Sequence, residues 1–103
     1  MDYHVVWSPQ ASADVEAIAE FIARDSVAYA KAAATGVLKA TRHLKQFPFL
    51  GRTVPEIGKE SIRGCFAYGY RIIYRISERK ITISAVVHGK RLPDSFKTDI
   101  EET

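Results

Sequence analysis

The chain has 103 residues, 47% of them hydrophobic and 26% charged, with a formal net charge of +3. That length supports one domain, residues 1–103, around a single core. Nothing approaches the 18 or so consecutive apolar residues of a membrane helix, and "MDYHVVW" lacks the apolar run of a secretory leader. A single cysteine, Cys65, rules out an intrachain disulfide framework and points to a reducing cytoplasm. Cys65 itself reads as a small strand residue. The mildly basic balance suits nucleic acid or an acidic protein partner and does not separate them.

"YHVVW" (Tyr3 to Trp7) is a short β-rich run and reads as a first strand. It ends at "SP", where Ser8 can cap a helix and Pro9 can occupy its first position. Ala11, Val15, Ile18 and Ile22 then recur at helical spacing, with Asp14 and Glu16 toward the positive end of the dipole. "RDS" breaks the pattern, and Ser26 can cap a second helix with the stripe Ala30, Ala33, Ala34, Val37, Thr41 and Leu44. Those alanines allow close approach, so the two helices read as an antiparallel hairpin. Gly36 costs the second helix about 1 kcal/mol relative to Ala. The segment Phe47 to Glu60 is turn-rich, punctuated by Pro48, Gly51, Pro55 and Gly58. "SIRGCFA", "YRIIYRIS" and "KITISAVVH" follow as three strands. The fold class is α+β in the order β-α-α-β-β-β, with the helical hairpin on one face of a small antiparallel sheet.

Register decides where the cations go. A tight "SERK" connection sets Ile76 opposite Ile81, Tyr74 opposite Ile83, Ile72 opposite Ala85 and Tyr70 opposite Val87. The other face then holds Arg71, Ile73 and Arg75 beside Thr82, Ser84 and Val86, with His88 at its end. Pairing Phe66 with Tyr70 across a three-residue turn brings Arg63 to the same side. A loop one residue shorter would reverse that. The expectation is one open, half-polar face gathering Arg63, Arg71, Arg75 and His88.

His4, His43 and His88 lack metal-ligand spacing, and no phosphate-cradling glycine loop is present, so neither metal nor cofactor is expected. Ser84, His88 and Asp94 supply one of each triad type without any supporting pattern. One chemistry stays open. Metal-free RNA cleavage needs a base, an acid and cations for the phosphorane, roles that His88 or Glu56 and Arg63, Arg71 and Arg91 could fill.

"WSPQASADVEAIAEFIARDS", "FPFLGRTVPE", "YRIIYRI" and "VVHGKR" resemble, in that order, the RelE/ParE toxin superfamily of bacterial type II toxin–antitoxin modules. The resemblance runs from Val6 to Arg91 and implies the same β-α-α-β-β-β fold. It implies one of two activities. RelE-like members are ribosome-dependent endoribonucleases that cut mRNA, whereas ParE-like members poison DNA gyrase. In the nuclease branch Arg63, Arg71 and Arg91 match catalytic positions, and Glu56 and His88 stand near two more. Phe96 occupies a position where other nuclease members place a tyrosine. Helix 1 and the "HGKR" ending resemble the ParE branch, so a gyrase-directed toxin is expected, with plasmid stabilisation as its associated role. A degenerate homologue that only binds antitoxin is the blander alternative. Each branch implies a cognate antitoxin that folds around the toxin as a hetero-oligomer. It would set apolar anchors in the helix–sheet groove and acids near a basic face of Arg63, Arg71, Arg75, His88 and Arg91.

Overall fold

A computed structural model describes residues 2–89. Its elements run β1 (His4–Trp7), α1 (Pro9–Ala23), α2 (Val27–His43), β2 (Arg52–Thr53), β3 (Ile62–Ala67), β4 (Tyr70–Ser77) and β5 (Lys80–His88). The five strands form one sheet in the order β1-β5-β4-β3-β2. The expected α+β architecture holds, with two departures. β1 lies parallel to β5, so the sheet is mixed. The two-residue β2 extends the far edge by pairing antiparallel with β3.

Local chemistry starts both helices where expected. The Ser8 hydroxyl accepts the Ala11 N–H at 3.0 Å, with Pro9 at the first helical position. The Ser26 hydroxyl accepts the Tyr29 N–H at 3.1 Å. Arg42 and His43 occupy the last turn of α2, where the dipole favours cations. Asp14, by contrast, stands beyond the first turn of α1 and has other work. Its carboxylate accepts the Val86 N–H of β5 at 2.9 Å. β1 ends at Trp7, opposite Ile83, so α1 answers a β5 donor lying past the end of its neighbouring strand.

The helices cover one face of the sheet. Ala11, Val37 and Leu44 pack there against Ile72, Tyr74, Ile81, Ile83 and Val86, with Val15 and Ile18 at the margin. Ala30 and Ala33 close the hairpin against Ile22. The opposite face is not open to water at its centre. Val54, Ile62 and Ile73 form a second, smaller core there, flanked by Ile57 and Val87. The loop after β2 folds back over the sheet to build it.

Candidate functional site

Two local features place the expected site residues differently from the sequence expectation. The β4–β5 hairpin begins in the expected register, with Ile76 opposite Ile81 and Tyr74 opposite Ile83. A bulge then inserts Ser84, so Ile73 faces Ala85, Ile72 faces Val86 and Tyr70 faces His88. His88 therefore joins the side of Tyr70, with their ring centroids 5.2 Å apart, and not the side of Arg71. Ser8 braces the bulge by donating its hydroxyl to the Ser84 carbonyl at 3.1 Å.

The second feature is the β3–β4 turn. It has two residues, Tyr68 and Gly69, both with positive φ (54° and 80°). That is a type I′ connection, which suits a twisted hairpin. Arg63 accordingly lies opposite Tyr74 and on the helix-facing side, away from Arg71. The face shared by Arg63, Arg71, Arg75 and His88 does not form. Only Arg71 and Arg75 share it, on alternate positions of β4.

Arg63 is engaged with the loop after α2. Its Nη1 donates to the Gly51 carbonyl at 2.9 Å and its Nε to the Glu60 carbonyl at 3.0 Å. Its guanidinium also lies 4.8 Å from the Phe49 ring centroid. The same loop is held from beneath by Tyr74, whose hydroxyl accepts the Gly51 N–H and donates to the Pro48 carbonyl, both at 2.9 Å.

Arg71 is buried, with 6% of its surface exposed. Its side chain crosses β3 at Gly64, where an added Cβ would lie 3.4 Å from the Arg71 Nε. Its guanidinium then meets Glu56 through two bonds, Nη1 to Oε2 at 3.0 Å and Nη2 to Oε1 at 3.2 Å. This fork-to-fork pair fastens the loop after β2 onto the sheet. Of the expected acid–base and cationic set, the structure thus unites Glu56 with Arg71 and separates Arg63 and His88 from them. Arg91 lies outside the described residues, as do Asp94 and Phe96.

Beside the Glu56–Arg71 pair opens a groove of about 730 Å³, bordered by Leu50, Arg52, Thr53 and Phe66. Leu50 and Phe66 are largely exposed, giving it apolar walls above a charged floor. The sequence marked Glu56 and Arg71 but not these walls. The three-residue turn expected from the sequence would set Phe66 opposite Tyr70 on the core side, whereas the two-residue turn sets it opposite Arg71, on the groove side. Cys65 also borders the groove, and burial pushes its thiol up to about 11. Among the described residues no group of three or more His, Cys, Asp or Glu side chains could hold a metal ion, and no helix is long and apolar enough to cross a membrane.

Comparison with known proteins places this geometry. A search among curated proteins finds no match. Among solved structures, the chromosomal ParDE toxin–antitoxin system from P. aeruginosa superposes with a TM-score of 0.70 at 18% identity, covering 84% of this chain and 96% of that one. The toxin–antitoxin complex RelBE2 from Mycobacterium tuberculosis gives 0.62, again at 18% identity, covering 85% and 99%. At such identity these likenesses establish the fold. The family model for the ParE toxin of type II toxin–antitoxin system, parDE, matches residues 5–93, and the chain belongs to that family.

Proposed function

We propose that the protein is a toxin neutralised by a cognate antitoxin, and that it acts in the cytoplasm by binding DNA gyrase. The observation that carries this reading is the engagement of Arg71. Its guanidinium is buried and held by both oxygens of Glu56. An arginine that stabilises a phosphorane must present its N–H groups to the substrate, and a carboxylate base must be within reach of the hydroxyl it deprotonates. Here those two groups face each other, while Arg63 and His88 face the opposite side of the sheet. Such an arrangement favours a toxin that works through its surface over one that cuts a phosphodiester.

Ribosome-dependent mRNA cleavage is the second reading, and one observation favours it. The groove beside Arg71 has the size of a small-ligand site and is bordered by Arg52. The test is incubation of the purified protein with gyrase and relaxed plasmid, in parallel with a translating extract. Blocked supercoiling or accumulated cleaved DNA is the expected result. Unaffected gyrase at saturating toxin would overturn it. Cleaved mRNA in the extract would select the second reading, and inactivity in both assays would leave an antitoxin-binding homologue.

A further inference from the structure

β3 is only partly paired along its outer edge. The Ser61 carbonyl turns to β4 and accepts the Ile76 N–H at 2.7 Å, whereas the Ile62 carbonyl accepts the Val54 N–H at 3.2 Å on the other side. The β3–β4 ladder is regular from Ile62 to Ala67, so alternation turns the backbone N–H and C=O of Gly64 and Phe66 outward as well. Gly64 pairs with Arg52, where β2 begins. Phe66 lies beyond it. The chain before β2 parts from β3 at this point. Its Leu50 N–H donates to the Phe47 carbonyl at 3.0 Å and its Gly51 N–H to the Tyr74 hydroxyl at 2.9 Å. Among the described residues no hydrogen bond reaches either backbone group of Phe66.

That parting opens the groove between Leu50 and Phe66, whose side chains stay 60% and 56% exposed. Apolar walls beside an unanswered backbone donor and acceptor suit a peptide segment. Charge narrows its kind. Arg71 on the floor is taken by Glu56, and among the described residues that line the groove Arg52 is the one other cation. Arg52 is exposed and meets no carboxylate among them. Single-stranded nucleic acid asks for a run of cations along its backbone, which this groove lacks. A second copy fails on shape and charge. Its β3, laid against Phe66, would run into Arg52 where that residue already pairs with Gly64, and would oppose Arg52 to a like charge.

We propose that the toxin grips its target through this groove, by taking a short extended segment of gyrase that carries an apolar side chain and a carboxylate. The segment exchanges backbone hydrogen bonds with Phe66 and sets its apolar side chain between Leu50 and Phe66. Its carboxylate meets Arg52. This inference rests on the gyrase reading above and adds to it a place and a chemistry.

The test compares purified variants in the gyrase supercoiling assay, each checked for folding by circular dichroism. Calorimetry measures in parallel their affinity for the product of the short reading frame adjacent to the gene. Leu50→Ser with Phe66→Ser removes both walls, and Arg52→Glu reverses the charge at an exposed site. Each is expected to raise the toxin concentration for half inhibition at least tenfold and to leave the calorimetric affinity unchanged. Leu38→Ser is the control. Leu38 is exposed in a groove of about 250 Å³ beside β1, at the other edge of the sheet, and its variant should inhibit like the wild type. Wild-type inhibition by the folded Arg52→Glu or double-serine variant would overturn the inference, as would an equal loss in the control. Weakened calorimetric affinity with inhibition intact would overturn it by giving the groove to that other partner. So would tight binding of a labelled single-stranded oligonucleotide that the same substitutions abolish. A wild-type toxin without effect on gyrase would sink the gyrase reading, and this inference with it.

Discussion

Tyr74 has no solvent-exposed surface, and its hydroxyl is the hinge between the sheet and the chain that leaves α2. It answers one backbone donor and one backbone acceptor, at Gly51 and Pro48. Gly51 is needed there because an added Cβ would stand 2.7 Å from both the Tyr74 hydroxyl and the Gly64 carbonyl. Burial raises the Tyr74 phenol above its ordinary range, so it keeps its proton and can keep donating. Tyr74→Phe preserves the ring and orphans both backbone groups. The expected cost is about 1–3 kcal/mol, read as a lower urea midpoint with an unchanged slope. An unchanged midpoint would mean the loop is held by other means. Cys65 tests burial on the same strand pair. With the thiol raised from 9.0 to about 11, it stays protonated at pH 8 and should alkylate with iodoacetamide far more slowly than a free thiol. The unfolded chain releases this proton near 9, and the folded chain holds it until about 11. Stability from this group is therefore complete below pH 9 and lost as pH rises through that window. Rapid alkylation at pH 8 in the native protein would contradict the burial.

At the scale of elements, the turns and the bulge decide which face each strand presents. Tyr68 is held at positive φ while its ring packs over Gly36 of α2, where an added Cβ would fall 2.3 Å from a ring carbon. Its ring also meets Tyr29 edge-on at 5.9 Å between centroids. Gly36, which reads in the sequence as a tolerated cost, is the seat of this turn. Gly36→Ala alone should bring little stability, because the helix-propensity gain of about 1 kcal/mol is offset by expelling the ring. With Tyr68→Asn, which suits the left-handed conformation and removes the ring, the same substitution should raise the melting temperature. Equal shifts in both backgrounds would show that ring and glycine do not interact. This coupling also explains what was legible in the sequence. The alternation of Ile72, Tyr74, Ile76, Ile81 and Ile83 carried the core face, and the caps at Ser8 and Ser26 carried the helix starts. The side of Arg63 depended on a two-residue turn begun by a tyrosine, which lacks the usual Asn or Asp signal. The side of His88 depended on the extra residue at Ser84, whose brace comes from Ser8, 76 positions earlier. Each feature leans on a contact distant in sequence, Gly36 under the Tyr68 ring and Ser8 at the Ser84 carbonyl, and each moves a side chain to the opposite face.

At the scale of the whole molecule, the two faces of the sheet divide the work. The helices take one face, and the loop after β2 closes the centre of the other over Val54, Ile62 and Ile73. The two grooves flank opposite edges, one by β1 and one by β2. The Glu56–Arg71 pair joins that loop to the sheet, which makes it a fastening as well as a candidate catalytic pair. The two roles predict different things. Removing one partner of a buried pair costs about 3–5 kcal/mol, much of it from leaving the other charge behind. Glu56→Gln and Arg71→Met should each be destabilising, and the double variant should lose less than their sum, measured as a urea-unfolding cycle. If the pair only fastens the fold, the double variant, once shown to be folded, should still arrest growth on induction without antitoxin. Full additivity would sink the fastening. A folded double variant that no longer arrests growth would return Arg71 to the chemistry of the toxin and favour mRNA cleavage over gyrase binding.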